Sequence, residues 1–166
     1  MSKPVRWGVM GNATIARVCV IPAIQKSRNG IVHALASQSP KIAQEVTRKN
    51  RIPHLYDNYD DLLTDSHIDA IYIPLPNHLH RPWTLKCLEA GKPVLCEKPL
   101  AVTREEGKRV LAAAKQKSVL VGCAPDTFLG GGQQTCRALI DEGAIRLNGE
   151  VVTSAKAKVA EGDMIE

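Results

Sequence analysis

The stretch Val5 to Ala16, Val-Arg-Trp-Gly-Val-Met-Gly-Asn-Ala-Thr-Ile-Ala, limits the fold more than any other part of the chain. An apolar run ends at a glycine and passes into helical spacing, which reads as a strand, a tight turn and the start of a helix. In a dinucleotide-binding βαβ unit the first glycine of that turn takes a backbone conformation that a side chain resists. Small residues after it let the backbone approach a pyrophosphate, and unpaired N–H groups at the helix start hold the phosphates. The usual spacing is G-x-G-x-x-G. Here Gly11, Ala13 and Ala16 occupy the three small positions, so only the first is glycine. By itself the turn fits both a cofactor-binding unit and an α/β protein that binds nothing there.

The rest of the chain supplies the context. The helix opening near Thr14 meets Pro22, which lacks an N–H and is expected to kink or restart it. Asn29-Gly30 is a turn and Ile31 to Ala36 a second strand. Ser39 as N-cap with Pro40 at the first helical position predicts a helix over 41–50. Ile52 to Tyr56 reads as a short edge strand, and Asn58 caps a helix whose first turn holds Asp60 and Asp61, the favourable sign for its dipole. Ala70 to Ile73 is a fourth strand, Arg81 to Ala90 a helix stopped by Gly91, and Pro93 to Cys96 a buried strand. Thr103-Arg-Glu-Glu106 is a capping box before a helix reaching Lys117, and Val119 to Cys123 is a sixth strand. Strands alternating with helices at this spacing predict an α/β fold, a Rossmann-type doubly wound parallel sheet with its ligands at the carboxyl ends of the strands.

With 166 residues, 44% of them hydrophobic, the chain is about one domain with enough apolar material for a core. No apolar run approaches the roughly 20 residues of a membrane span, and Met1-Ser-Lys-Pro-Val5 is too short and polar for a secretory signal, so a cytoplasmic protein is expected. Cys19, Cys87, Cys96, Cys123 and Cys136 include no C-x-x-C pair. Their apolar neighbours predict reduced core thiols, with no metal site and no disulfide frame. The net charge of +5 is carried by Lys26, Arg28, Lys41, Arg48, Lys49 and Arg51 against the single acid Glu45, the remainder summing to zero. One local excess argues against a nucleic-acid footprint spread over the protein. It falls in the second strand and helix, where a Rossmann unit would bring it near the adenosine ribose.

Two polar loops follow the fourth and fifth strands, Pro74-Leu-Pro-Asn-His-Leu-His80 and Cys96-Glu-Lys-Pro-Leu100, and the fold would set them side by side over one crevice. The first with its strand, Ile71 to His80, and the second with its approach, Glu89-Ala-Gly-Lys-Pro-Val-Leu-Cys-Glu-Lys-Pro-Leu100, closely resemble the glucose-fructose oxidoreductase / inositol dehydrogenase family, Gfo/Idh/MocA. The resemblance runs from about Val5 to Ile145 and implies an NAD(P)-dependent oxidoreductase acting on a sugar or polyol. It casts Gly11, Asn12, Ala13 and Ile15 as the pyrophosphate turn and puts Ser37 and Gln38 at the ribose. Leu75, Pro76, Asn77 and His80 become the loop under the adenosine and nicotinamide ribose, and Glu97, Lys98 and Pro99 the family's E-K-P motif. Lys98 is the implied catalytic residue, near the nicotinamide and the substrate hydroxyl. An ammonium there can hydrogen-bond the oxygen whose charge changes as hydride moves. His78 reads as a turn residue or a weaker member of the site. No Asp or Glu precedes Glu45, so the acid that binds the 2′-hydroxyl of NAD is missing. Ser37, Ser39 and Lys41 are placed to receive a 2′-phosphate, and NADP is expected over NAD. Gln38 stands where the phosphate-selecting branch has arginine and gives up a bidentate contact.

Two departures follow. Gly122-Cys-Ala-Pro-Asp-Thr-Phe-Leu-Gly-Gly-Gly132 resembles a different branch of the family, as in a mosaic, and nothing after Ile145 resembles the family's larger substrate domain. That domain, with an aspartate and a histidine on one helix, is expected to be absent. The isolated chain is then expected to bind cofactor with little sugar oxidation unless a substrate domain is supplied, and an oligomer is compatible with it. The expected organisation is a dinucleotide-binding domain over 1–145 and a short β tail over 146–166, with Asn148-Gly149 as its turn signal. Together with Cys136 to Ile145 the tail resembles the closing half of an S4-type RNA-binding module. From Arg146 onward, however, Arg146, Lys156 and Lys158 are outnumbered by Glu150, Glu161, Asp163 and Glu166, the wrong balance for RNA. The tail is therefore expected to cap the domain by burying Val151, Val159 and Ile165. The rival reading is a non-catalytic interaction module with an S4-like tail.

Overall fold

Short apolar runs pair into one six-stranded parallel sheet. In chain order the elements are β1 (Val5–Met10), a π-helical turn (Ala16–Val20) leading into α1 (Ile21–Lys26), β2 (Gly30–Ala36), α2 (Pro40–Asn50), β3 (His54–Tyr56) and α3 (Tyr59–Thr64). There follow β4 (Ala70–Ile73), α4 (Asn77–Glu89), β5 (Val94–Glu97), α5 (Arg104–Lys117) and β6 (Val121–Ala124). The sheet order is β3-β2-β1-β4-β5-β6, every pair parallel, the doubly wound arrangement expected from the alternation of elements. The computed structural model describes residues 3–124, 146–147 and 150–151. The chain divides into two units, Met1–Ala124 and Pro125–Glu166.

Parallel strands are joined by helical crossovers that cover both faces, which is why these strands read as unbroken apolar runs. Successive residues point to opposite faces. Val9, Val32, Leu35 and Tyr72 pack with Ile21, Ala43 and Val46 of α1 and α2. Met10, Ala34, Ala36, Ile71 and Ile73 pack with Leu62 and Leu63 of α3 and Cys87 of α4. Every residue of β4 is buried, and each large side chain there contributes roughly 1.5–3 kcal/mol.

Local signals placed most helix ends. Asn58 Oδ1 accepts from the Asp61 N–H at 2.8 Å, and Thr103 Oγ1 accepts from the Glu106 N–H at 3.2 Å. The return arm of that box goes to Val102, whose N–H donates to Glu106 Oε2 at 3.0 Å. Ser39 does precede α2, but its side chain makes no cap; its N–H donates to Ser37 Oγ at 3.1 Å. Ahead of Pro22 the ladder widens to a π turn, closed by the Ile21 N–H on the Ala16 carbonyl, as a proline without a donor favours.

Four expectations are corrected. The fourth helix starts at Asn77 rather than Arg81, leaving Pro82 inside it. Proline is most at home at the first helical position, but here tertiary bonds to His80 extend the helix past that signal. Cys87 and Cys96 are core thiols whose burial pushes each pKa up to about 12, whereas Cys19 and Cys123 are exposed and Cys136 lies outside the described residues. The basic excess is mostly at the far edge of the sheet from the ribose position. Crossover helices run against the strands, so the last turns holding Lys26, Arg48 and Lys49, with Arg28 and Arg51 beyond them, lie at the amino edge, and only Lys41 starts its helix at the carboxyl edge. In the tail, β7 (Arg146–Leu147) and β8 (Glu150–Val151) pair antiparallel, but Val151, expected to be buried, is 42% exposed. Val159 and Ile165 lie outside the described residues.

At the amino edge Arg6 on β1 clamps Asp69. Its Nη2 donates to Oδ1 at 2.8 Å and its Nε to Oδ2 at 2.9 Å, while the Asp69 N–H returns to the Arg6 carbonyl at 2.8 Å. The guanidinium bonds hold the Asp69 carboxyl well below the usual range, against a smaller opposing effect of burial. A depressed folded pKa stabilises above the unfolded value near about 4 and loses that contribution as pH falls. Thermal denaturation between about pH 7 and pH 2 should therefore show the wild type losing more stability in acid than Asp69→Asn. Parallel curves would mean that this largely exposed pair contributes nothing measurable.

Candidate functional site

The carboxyl edge of the sheet collects the residues singled out from the sequence. At the end of β1, Gly11 has φ +95°, and a Cβ built there would lie 2.9 Å from Leu75 Cδ2. Its N–H donates to the Ala36 carbonyl at 2.7 Å. Both the conformation and the close approach of the β4–α4 loop demand glycine. Helical bonding begins with the Arg17 N–H on the Ala13 carbonyl at 3.1 Å. Asn12, Ala13 and Ile15 are half-buried in this turn.

Three buried side-chain polar atoms lack a hydrogen-bond partner among the described residues, and two of them belong to this turn and the helix after it: Asn12 Nδ2 and Arg17 Nε. The other arm of Arg17 donates from Nη2 to Thr14 Oγ1 at 3.1 Å. A buried donor without an acceptor costs about 1–3 kcal/mol, and a helix start is where an anion repays it. The residues present therefore fit a bound pyrophosphate. Arg17 went unnoticed in the sequence, where a lone base one turn into a helix carries no distinctive spacing.

After β2, Ser37 is buried; its Oγ accepts from Ser39 and its N–H donates to the Tyr56 carbonyl at 3.0 Å. Gln38, Ser39 and Lys41 are exposed beside it. After β4, Leu75 is buried under Gly11, Pro76 precedes α4, and Asn77 and His78 are exposed in its first turn.

His80 departs from its expected role as a cofactor contact. It is 1% exposed, and its ring nitrogens are both taken by backbone: Nε2 lies 2.6 Å from the Leu75 carbonyl and Nδ1 2.7 Å from the Pro99 carbonyl. It ties the β4–α4 loop to the loop after β5 and so positions both. Glu97, at the end of β5, is likewise buried, its Oε1 accepting from the Tyr72 hydroxyl at 2.7 Å. Burial, reinforced by Glu97, pushes the Tyr72 phenol far up and keeps its proton in that bond. In the sequence Tyr72 is marked only as a strand residue. Its signal is that a buried tyrosine needs a partner for its hydroxyl. Lys98 and Pro99 follow β5 as exposed residues at the same edge.

Residues 5–124 match the family model described as oxidoreductase family, NAD-binding Rossmann fold, GFO_IDH_MocA. The chain belongs to the Gfo/Idh/MocA family. Among its relatives, 1,5-anhydro-D-fructose reductase of Ensifer adhaerens is 36% identical over 140 residues, 84% of this chain and 42% of that protein. D-xylose 1-dehydrogenase (NADP(+)) 2 of Haloferax volcanii is 42% identical over 100 residues, 60% of this chain and 30% of that one. Of solved structures, KijD10, a 3-ketoreductase from Actinomadura kijaniata in complex with NADP, superposes with a TM-score of 0.74 at 33% identity, over 85% of this chain and 45% of KijD10. The Gfo/Idh/MocA chain thus spans less than half the length of these relatives. Residues 133–165 match the S4 domain model.

Proposed function

We propose that this chain is the NADP(H)-binding part of a sugar or polyol oxidoreductase, with the Gly11 turn holding the pyrophosphate and Lys98 serving the reacting oxygen of the substrate. The observation that carries the reading is the orphaned donor Asn12 Nδ2 next to Gly11, whose φ of +95° a side chain resists, with a second orphaned donor, Arg17 Nε, in the helix that follows. When bound, the nicotinamide cofactor supplies hydride transfer. Asn12, Ala13 and Ile15 line the turn, Gln38, Ser39 and Lys41 face the ribose with Ser37 bracing them from below, and Leu75, Pro76 and Asn77 floor the crevice. Glu97, anchored by Tyr72, fixes the strand end from which Lys98 leaves, with Pro99 held by His80. Lys98 as an ammonium donates to the sugar oxygen, and as the neutral amine it takes up the hydroxyl proton, as charge develops there. Relatives named as sugar reductases and an NADP-linked xylose dehydrogenase support the substrate class. The same reading places the protein in the cytoplasm and, on the acidic balance after Arg146, gives the S4-like tail no RNA partner.

Fluorescence titration with NADPH tests the cofactor site, and calorimetry with NADP and NAD at one salt concentration tests the choice. NADP should bind more tightly than NAD, and equal dissociation constants would remove the preference. Lys98→Ala should leave NADPH affinity within about tenfold, because the phosphate contacts lie at Gly11. A larger loss would move Lys98 from the reacting oxygen to the cofactor itself.

A further inference from the structure

At the sheet edge opposite the cofactor crevice, β2 carries a bulge. Trp7 and Gly8 of β1 are adjacent, yet their partners are Val32 and Ala34, so His33 is the extra residue. Bulges turn a side chain out of the regular alternation. His33 here meets Asp65, which ends α3, and His67 in the loop to β4.

We propose that His33, Asp65 and His67 form a binding site for a divalent transition ion, with Zn2+ as its best match. One ligand atom from each residue lies within 4.8 Å of the other two. His33 Nε2 is 3.5 Å from Asp65 Oδ2, and His67 Nδ1 is 3.2 Å from Asp65 Oδ1. The first is long for a hydrogen bond. Ligands about 2.0–2.1 Å from a tetrahedral zinc stand about 3.3–3.4 Å apart, and each imidazole nitrogen stands close to that distance from one of the two Asp65 oxygens. The carboxylate is oriented from behind, as metal-bound carboxylates are. The Tyr56 hydroxyl donates to Oδ2 at 3.0 Å and the His67 N–H to Oδ1 at 2.7 Å.

The charges around the site are already engaged. Arg6 is bound to Asp69, and Lys92 Nζ donates to the backbone carbonyls of Asp65 and Ile68, both at 2.9 Å, not to the carboxylate. The His54 ring lies tilted against His33, with ring centroids 4.5 Å apart. Two imidazoles and a carboxylate suit zinc and its neighbours rather than Ca2+ or Mg2+, which take oxygen ligands. Three protein ligands leave a fourth position for water. The expectation of no metal site came from the cysteines; the ligands instead come from segments far apart in sequence.

The test uses the full chain stripped with chelator and titrated with ZnCl2 by calorimetry, with Co2+ absorption as a second readout. We expect saturable binding of one Zn2+ per chain, a tetrahedral Co2+ spectrum, and no heat with Ca2+ or Mg2+. His67→Ala, at an exposed position that folding tolerates, and His33→Gln should each weaken zinc by more than about a hundredfold. Tyr56→Phe should weaken it by roughly tenfold, the usual cost of losing an outer hydrogen bond. Absence of saturable Zn2+ binding, or binding unchanged in folded His67→Ala, overturns the proposal.

Discussion

Gly11→Val should lower NADPH affinity by more than about a hundredfold while the protein still folds. At φ +95° a residue with a Cβ is strained, and a β-branched one more so; the conformational term alone is about 1–2 kcal/mol. The new Cβ would also lie 2.9 Å from Leu75 Cδ2. Leu75 is buried beside the turn, so its side chain must shift to relieve the contact. The valine methyls further block the approach of phosphates to the turn. The backbone strain lowers stability, while the displaced Leu75 side chain and the blocked phosphate approach lower affinity; each 1.4 kcal/mol of the latter is tenfold, and about 3 kcal/mol gives the hundredfold. Gly11→Ala keeps the strain with less bulk and should lose less. NADPH titration by fluorescence, alongside a thermal melt, makes the measurement. Binding by folded Gly11→Val within about threefold of wild type would mean that the phosphates do not sit on this turn.

The largest loss of stability from a single polar side chain is expected at His80. His80→Leu fills a similar volume but strips the buried Leu75 carbonyl and the part-buried Pro99 carbonyl of their partner. Each buried group left unsatisfied costs about 1–3 kcal/mol, and both together should cost about 2–4 kcal/mol. That is a large part of a total stability of roughly 5–15 kcal/mol. Urea denaturation should show the unfolding free energy falling by that amount and the midpoint with it, and the folded fraction should bind NADPH more weakly, because the loops after β4 and β5 are no longer tied. His80→Gln, which can still donate to one carbonyl, should fall between. A variant within about 0.5 kcal/mol of wild type would show that water satisfies both carbonyls and that the tie is not structural.

The elements read most accurately are those with local causes. Ala70–Ile73 was placed to the residue because an apolar run between turn signals leaves few alternatives. Asn58 and Thr103 marked their helix starts because a cap is a bond between near neighbours. Gly11 was identified by its position after an apolar strand, and its positive φ follows from the turn that position requires. The Pro-Asn-His-Leu-His and E-K-P motifs fall directly after β4 and β5, at the carboxyl edge of the sheet.

Sequence alone thus determined the doubly wound α/β class, the Gfo/Idh/MocA family, and the residues at the carboxyl edge, since periodicity, caps and motifs are properties of neighbouring residues. Only tertiary structure decided what those residues do there. His80 and Glu97 turned inward because the Leu75 and Pro99 carbonyls and the Tyr72 hydroxyl needed buried partners. Most of the basic excess moved to the far edge because crossover helices run against their strands. His33 met Asp65 and His67 through a bulge and a helix end that no local pattern records. Each is a pairing between distant segments, and burial, which makes an unpaired polar group costly, exists only once the sheet and its helices have closed around it.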